Sequence, residues 1–216
     1  MINIYKKPCK ELELSKKDIG IYLGYYGIKP DSSTDLLIED CIREFCENVV
    51  FRACYTVLPI ECTDGVSLEN LKFCSKSLKK NLDGCENAYI FAATAGSESQ
   101  RIIAKNSVIS PLKGIVSDCV GSAAIEAFCD KFNSNFENCE FLRPRFSPGY
   151  GDLPLECQRQ LLDLLDAKKN IGLSLNESLM MSPSKSVTAI IGIGKDKNKC
   201  SGPGCMICKS ENCPYR

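Results

Sequence analysis

The most constraining feature of this sequence is one continuous apolar run, Ala88-Tyr-Ile-Phe-Ala-Ala-Thr94. The run has the length of a strand and no alternation of polar residues, so it predicts a central strand that is buried on both faces. The segments around it mix strand-like and helical patterns without the strict alternation of a doubly wound parallel sheet. We therefore predict an α+β fold, with a mainly antiparallel twisted sheet and flanking helices.

Local patterns place the remaining elements. Ser32 and Asp35 have the spacing of a capping box that opens a helix, and Asp152 is predicted to cap another helix with Pro154 in its first turn. Local patterns also predict a short helix within residues 12–27 that ends at a glycine, and further helices at residues 68–80, 97–107 and 111–132. Composition predicts strands at residues 49–60 and 136–142, and two strands joined by a turn at residues 177–181 and 186–193.

Charge and hydropathy exclude several classes of protein. Lysine plus arginine and aspartate plus glutamate both number 27 in the 216 residues, so nothing attracts nucleic acid or an anionic membrane surface in general. No apolar run approaches the length of a membrane-spanning helix, and the first residues lack the apolar stretch of a signal peptide. The sequence therefore predicts a soluble, cytoplasmic chain with no nucleic-acid partner and no membrane partner.

The sequence contains no histidine and no tryptophan, but it contains 15 cysteines. Without histidine, acid–base chemistry would fall to Glu, Asp, Lys, Tyr or Cys, and a metal would need thiolate or carboxylate ligands. The odd number of cysteines and the missing signal peptide argue against a disulfide framework. Most of the cysteines lie among apolar residues, and we interpret them as small buried hydrophobic side chains.

The composition changes sharply where a polar stretch leads into a cysteine-rich tail. We therefore predict two units, a domain over residues 1–194 and a tail over residues 195–216. The tail thiols have the spacing Cys200-x4-Cys205-x2-Cys208-x4-Cys213, which is typical of a metal site. Four thiolates can hold a structural zinc or an iron–sulfur cluster, and the loose outer intervals favour a [4Fe–4S] cluster over a zinc ribbon. The alternative is a tail of adventitious thiols.

The segment Arg145-Phe-Ser-Pro-Gly149-Tyr150 is a candidate binding loop. Pro148 before Gly149 predicts a turn, and a glycine allows a ligand to approach the backbone closely. The Arg145 guanidinium can offer a planar fork of N–H donors to a carboxylate or a phosphate. On chemistry alone, the alternative is an ordinary surface loop with Tyr150 packed on the core.

Glu126 is a second candidate for ligand binding. On the predicted helix at residues 111–132, it shares one face with Ile115, Cys119, Ser122, Cys129 and Phe132. This face is small and apolar apart from Ser122 and Glu126, so the carboxylate lies at the edge of a buried stripe or pairs with a cation. It either receives the ammonium group of a ligand or forms a structural ion pair.

Together these segments resemble the activation domain of cobalamin-dependent methionine synthase, which binds S-adenosylmethionine (AdoMet). The resemblance covers residues 12–194. Its most specific part is Arg145-x-x-x-Gly149-Tyr150, which matches the family's Arg-x-x-x-Gly-Tyr motif, with Ser147 where the family has alanine. Further matches follow in the family's order and spacing at residues 161–166, 171–172, 175–178, 181–183 and 186–187.

The resemblance implies a role for each matched residue. Arg145 would bind the AdoMet carboxylate, and the backbone around Ser147 and Gly149 would meet the adenosyl group. Tyr150 would lie beside the methionine part, where the face of an aromatic ring suits a sulfonium. Glu126 would contact the ligand, and its carboxylate suits the ammonium group.

The sequence also departs from the family at two places. The N-terminal aspartate that assists AdoMet binding in the family is replaced around Tyr22-Leu-Gly24-Tyr25, and Gly151 stands where a proline is usual. No role is carried over to the first of these segments.

The implied function is the reductive methylation that reactivates cob(II)alamin. No segment corresponds to the homocysteine, folate and cobalamin domains of the synthase, so we expect a free-standing module that acts in trans. The cobalamin-binding domain of methionine synthase or a related corrinoid protein would hold the cobalamin, and a flavodoxin or ferredoxin would supply the electron. Positioning alone would suffice, with no catalytic acid–base residue. The alternatives are an activator of another corrinoid-dependent methyltransferase and a non-catalytic AdoMet-binding regulator.

Overall fold

A twisted antiparallel sheet forms the centre of the protein, and the computed structural model describes it over residues 1–63, 65–136 and 141–194. In these ranges the sheet has seven strands in the order β4-β3-β2-β5-β9-β6, with β1 also paired to β2. Its strands are β1 (Asn3–Pro8), β2 (Val50–Cys62), β3 (Val66–Leu68), β4 (Leu71–Phe73), β5 (Cys85–Thr94), β6 (Phe141–Leu142) and β9 (Ser186–Gly194). Two short strands, β7 (Ser174–Leu175) and β8 (Met181–Ser182), pair separately. The predicted α+β class is confirmed.

The α-helices of the described residues are α1 (Lys16–Tyr22), α2 (Ser32–Asn48), α3 (Lys76–Asn81), α4 (Gly96–Ile109), α5 (Pro111–Ser134), α6 (Cys157–Leu164) and α7 (Ala167–Ile171), and a short 3-10 helix spans Cys9–Glu11. Local chemistry starts the longest one, since the Ser110 side chain caps α5 and Pro111 occupies its first turn. None of these helices is both long enough and apolar enough to cross a membrane.

The predicted central strand is β5, which pairs with β2 on one side and with β9 on the other. Successive side chains of a strand point to opposite faces of the sheet. Those of Tyr89, Phe91 and Ala93 enter a larger core, and those of Ala88, Ile90 and Ala92 enter a smaller one. The apolar run has no polar alternation because both faces are covered, and the prediction of a strand buried on both faces is confirmed.

The larger core lies between the sheet and helices α1, α2, α4 and α5. Its centre is Phe132 of α5, which is fully buried. The centroid of the Phe132 ring lies 4.6 Å from that of Phe91, 4.9 Å from that of Tyr55 and 5.1 Å from that of Phe136. Tilted and edge-to-face aromatic pairs at these distances are favourable. The cluster therefore holds α5 against the sheet.

The smaller core lies on the opposite face of the sheet, under α3, α6 and α7. Leu78 and Leu82 of the α3 region and Leu161 of α6 are fully buried there against Ile90 and Ile190 of the sheet. Because α3 and α6 share this core, the segment that joins β6 to α6 is held between two fixed helices.

Two of the predicted secondary-structure elements are wrong. Residues 68–80 do not form one helix, because the chain forms β3 and β4 before α3 begins at Lys76. Val66, Leu68 and Phe73 of the two strands are buried, which is the period-two pattern of a half-buried strand. Residues 177–181 do not pair with β9, since Met181 pairs with Leu175 and β9 pairs with β5 and β6.

The cap of α2 is also displaced by one residue from the prediction. The Asp31 carboxylate accepts hydrogen bonds from the backbone N–H groups of Ser33 at 2.9 Å and Thr34 at 3.0 Å. Ser32 is the first residue of the helix and not its cap. A carboxylate satisfies two unpaired N–H groups here, and it also complements the positive end of the helix dipole.

Candidate ligand-binding site

One face of α5 carries a row of polar side chains at intervals of four residues: Asp118, Ser122, Glu126 and Asp130. Residues four apart on a helix lie one above the other, so the four side chains follow one line along the helix. Two cations from other parts of the chain cross this line. Lys185 contacts Asp118 and Ser122, and Arg145 contacts Glu126 and Asp130. We call these six residues the α5 polar row.

Arg145 occupies the C-terminal half of the row. Its Nη2 donates to Glu126 Oε2 at 2.8 Å, and its Nη1 donates to Asp130 Oδ1 at 2.8 Å. The Arg145 side chain is 18% exposed, whereas the side chains of Glu126 and Asp130 are 44% and 73% exposed. Burial disfavours the charged guanidinium, but Cys129, Asp130 and Glu126 outweigh burial and raise the pKa of Arg145 above its ordinary value. Arg145 is therefore a permanent cation whose anionic partners face solvent and can make room for a ligand.

An extra residue in the β6 edge aims Arg145 at α5. Leu142 pairs with Ile193 of β9, and Phe146 bridges to Ile190 of β9 through two hydrogen bonds of 3.0 and 2.9 Å. The chain advances four residues from Leu142 to Phe146, whereas β9 advances only three between their partners, as in a β-bulge. Arg143, two positions before Arg145, donates to the backbone carbonyl of Asp83 near the smaller core. The irregularity lets the two arginines reach opposite faces of the sheet.

The motif loop follows Phe146 directly. Gly149 and Gly151 have φ angles of 89° and 56°, a region in which glycine meets no steric penalty. The loop is closed by hydrogen bonds from Gly149 N–H to the Leu153 carbonyl at 2.9 Å and from Leu153 N–H to the Tyr150 carbonyl at 3.0 Å. Tyr150 is 60% exposed and stands edge-on to Phe146, with ring centroids 6.3 Å apart. Its ring is not packed in the core and is accessible to a ligand.

Asp152 ties this loop to α3. Its carboxylate accepts hydrogen bonds from Ser75 Oγ at 2.5 Å, from Lys76 N–H at 2.8 Å and from Ser77 N–H at 3.0 Å. These backbone groups lie at the start of α3, where N–H groups have no partner within the helix. The prediction that Asp152 caps the helix after it is therefore wrong, since α6 has no side-chain cap. The aspartate instead joins the loop to a helix that is distant in sequence.

Replacing Asp152 with asparagine is expected to lower the melting temperature at neutral pH. The hydrogen bonds from Ser75, Ser77 and Lys76 hold the pKa of the Asp152 carboxyl well below its ordinary range. Because the folded-state pKa is depressed, this stabilisation is present above about pH 4 and is lost as the pH falls further. Thermal unfolding of both proteins between neutral and acidic pH measures the effect, and the variant should lose less stability in acid.

Asp31→Asn is the matched control for this experiment. Asp31 also caps a helix and its pKa is also lowered, but it lies on α2 and does not touch the motif loop. Both variants should melt earlier, and only Asp152→Asn should also weaken ligand binding at the loop. Identical neutral-pH melting of wild type and Asp152→Asn would show that Asp152 is not an anchor.

A shallow cleft of about 230 Å³ adjoins the N-terminal half of the α5 polar row. Its walls are Tyr22, Ser122, Ile125, Glu126 and residues 184–187. Because Glu126 lines the cleft and also pairs with Arg145, the cleft and the Arg145 end of the row are continuous. Tyr22 belongs to the segment that departs from the family's N-terminal pattern, and the structure places it in this cleft.

Lys185 crosses α5 at the edge of this cleft. Its Nζ donates to Ser122 Oγ at 2.8 Å and lies 2.9 Å from Asp118 Oδ1, and the side chain is only 12% exposed. A Cβ added at Gly121 would lie 3.2 Å from Lys185 Cγ and 3.3 Å from Cε. A glycine on α5 therefore lets the lysine stem lie close against the helix.

The structure brings together the two side chains that the sequence singled out separately. Arg145 and Glu126 form an ion pair, so Glu126 lies at the edge of a buried stripe and also pairs with a cation. The loop residues Ser147, Gly149 and Tyr150 follow Arg145 and do not line the cleft. Sequence reasoning missed Asp118, Asp130 and Lys185. The spacing of four residues between the carboxylates was a usable signal, but nothing near Lys185 pointed to α5.

The predicted metal ligands Cys200, Cys205, Cys208 and Cys213 lie outside the described residues. Where the structure describes the chain, it contains no group of three or more His, Cys, Asp or Glu side chains placed to hold a metal ion. The metal site therefore stays a prediction for the tail alone.

Comparison with known proteins points to one family. Residues 129–199 match the family model of the vitamin B12-dependent methionine synthase activation domain. The fold matches solved structures that include the MetH reactivation domain bound to AdoHcy, with a TM-score of 0.68 and 14% sequence identity over 91% of this chain and 79% of that chain. No curated protein sequence gives a significant match. The predicted resemblance to the activation domain of vitamin B12-dependent methionine synthase is confirmed, by the family match over residues 129–199 and by the shared fold.

Proposed function

We propose that this chain binds AdoMet in the cytoplasm and supports the reductive methylation of cob(II)alamin held by a separate cobalamin-dependent methionine synthase. The observation that carries the proposal is the 2.8 Å ion pair between Arg145 and Glu126, beside the motif loop of an activation-domain fold. The solved MetH domain with this fold is bound to AdoHcy, which is AdoMet without its transferable methyl group.

The residues of the site fit the amino-acid end of AdoMet. This end carries a carboxylate and an ammonium group, and the Arg145–Glu126 pair offers one cation and one anion to them. Tyr150, which is 60% exposed, can place its ring beside the positively charged sulfur. The backbone around Ser147 and Gly149 meets the adenosyl group in this arrangement. One ligand thus accounts for polar groups on both the helix and the loop.

The proposed reaction breaks the bond between the AdoMet sulfur and its methyl group and forms a cobalt–carbon bond on the partner. AdoHcy is left, and one electron from a flavodoxin- or ferredoxin-type donor balances the reaction with cob(II)alamin. The residues of this chain hold the sulfonium so that its methyl group faces the partner. Such catalysis depends on position and needs no acid–base group, in keeping with a sequence that has no histidine.

A methyl-transfer assay tests the proposal. The full chain is combined with a cob(II)alamin-containing methionine synthase, AdoMet carrying an isotopic label in its methyl group, and a low-potential electron donor. We expect the label on the cobalamin and an equal amount of AdoHcy. AdoMet binding without transfer would indicate the non-catalytic regulator instead. Transfer only with a different corrinoid protein would indicate an activator of another methyltransferase.

For the tail, we propose that Cys200, Cys205, Cys208 and Cys213 bind a metal centre. A [4Fe–4S] cluster predicts a brown protein with about four irons per chain after purification without oxygen. Metal analysis of the wild type and of a double Cys205→Ser, Cys208→Ser variant measures this, and the variant should lose the metal. A colourless protein with one zinc per chain would exclude the cluster and retain a zinc site, and a wild type without metal would refute both.

A further inference from the structure

One N–H donor of the Lys185 ammonium, at the edge of the cleft, is available to a ligand. A lysine ammonium carries three N–H donors and accepts nothing. The described part of the chain engages this ammonium at two points: Nζ donates to Ser122 Oγ at 2.8 Å, and Asp118 Oδ1 lies 2.9 Å away as an ion-pair partner. An ammonium with a side chain only 12% exposed is costly to keep unless its donors are used. A ligand in the cleft can accept the third hydrogen bond.

The order of charges along α5 matches the order of groups in AdoMet. Arg145 pairs with Glu126 and Asp130, and Lys185 pairs with Asp118 and Ser122 one to two turns earlier. Ser122 and Asp130 are separated by roughly 12 Å along the helix at 1.5 Å per residue. In AdoMet the carboxylate comes first, the ammonium is next to it, and the sulfonium joins them to the nucleoside. With the carboxylate on Arg145 and the ammonium on Glu126, the nucleoside extends toward Ser122.

The position of strand β9 also supports a nucleoside that extends from Arg145 toward Ser122. Ile190 of β9 bridges to Phe146, directly before the motif loop, and the strand begins at Ser186 in the cleft wall. The motif loop therefore starts beside the middle of β9, and Lys185 lies just before the first residue of the strand. A nucleoside along this part of β9 meets the loop backbone on one side and the Lys185 ammonium on the other.

We propose that Lys185 is a second binding residue of this site and holds the nucleoside end of the ligand, while Arg145 holds the amino-acid end. This inference rests on the proposed binding of AdoMet. Oxygen and nitrogen atoms of the ribose and adenine are the acceptors that suit the third lysine donor. Lys185 thereby contributes to the recognition of an adenosyl group and not of an amino acid in general.

Two ligands separate the roles of the two cations. Calorimetry of the full chain measures the Kd of AdoMet and of 5′-methylthioadenosine, which has the nucleoside end but no amino-acid group. Lys185→Met keeps the stem beside Gly121 and removes the charge, so it should weaken both ligands by about tenfold. Arg145→Ala should weaken AdoMet alone. Lys185→Arg keeps a cation and should retain most of the affinity for both ligands.

If the wild type binds AdoMet, three results would overturn the assignment of Lys185. Wild-type affinity of Lys185→Met for both ligands would make Lys185 a structural ion pair with Asp118. Weakened AdoMet with unchanged 5′-methylthioadenosine would place Lys185 at the amino-acid end. If Lys185→Met does not fold, as judged by circular dichroism, the folded Ser122→Ala variant replaces it in the test. Weaker binding of AdoMet with unchanged binding of 5′-methylthioadenosine in that variant would likewise place Lys185 at the amino-acid end. Failure of the wild type to bind AdoMet at all would instead refute the proposed function, and this assignment with it.

Discussion

Replacing Phe132 with alanine is expected to lower the free energy of unfolding by about 3–5 kcal/mol. Phe132 is fully buried, and its ring contacts Phe91, Tyr55 and Phe136 at centroid distances of 4.6, 4.9 and 5.1 Å. The substitution removes apolar contacts from both the sheet and α5 and leaves a cavity that the surrounding rings cannot fill. Urea unfolding should show a lower midpoint with little change in slope.

Val108→Ala is the matched control for the loss of Phe132. Val108 lies on α4 and is 89% exposed, so its truncation should change the free energy of unfolding by less than about 0.5 kcal/mol. If Phe132→Ala and Val108→Ala unfold at the same urea concentration, the aromatic cluster does not hold α5 against the sheet. The site depends on this packing because α5 carries Glu126 and its neighbours.

Replacing Arg145 with alanine is expected to raise the Kd for AdoMet by about tenfold or more. A charge-assisted hydrogen bond to a carboxylate contributes about 1.5–3 kcal/mol, and about 1.4 kcal/mol corresponds to tenfold in affinity. Glu126 and Asp130 lose their cation in the variant, but their side chains are 44% and 73% exposed and can be solvated by water. The fold should therefore survive, and calorimetry with AdoMet measures the loss directly.

Arg43→Ala is the control for removal of an arginine as such. Arg43 pairs with Asp40 on α2 and is 67% exposed, and exposed pairs of this kind contribute little to stability. Its loss should leave the Kd for AdoMet unchanged. If Arg145→Ala also binds AdoMet as the wild type does, then the Arg145–Glu126 pair is structural, as the residues alone allowed.

The central strand could be predicted from the sequence because its local pattern and its burial in the fold agree. The run from Ala88 to Thr94 is apolar throughout and has the length of a strand rather than of a helix, so its length and composition both indicate a strand covered on both faces. Residues 68–80 were misread because Leu71, Leu78 and Leu82 happen to fit a helical stripe. In the structure Leu71 belongs to β4, and only the last two pack in the α3 region.

The candidate site shows where predictions from neighbouring residues in the sequence fail. Asp152 has the sequence context of a cap for the following helix, but its carboxylate accepts hydrogen bonds at the start of α3. Propensity describes neighbours along the chain, and tertiary contacts override it. Arg145 and Glu126 could be joined in advance only through a family resemblance, because a bulge beside β9 directs the arginine to α5. Lys185 could not be found at all without the fold, since its partners are far away in sequence.

The central claim is that this chain binds AdoMet, and calorimetric titration of the full wild-type chain with AdoMet, on protein purified without oxygen, tests it most directly. We predict saturable binding of one AdoMet per chain, with AdoHcy competing for the same site. The absence of saturable binding at millimolar AdoMet, from a protein that melts cooperatively and has the circular dichroism of an α+β fold, would contradict the account.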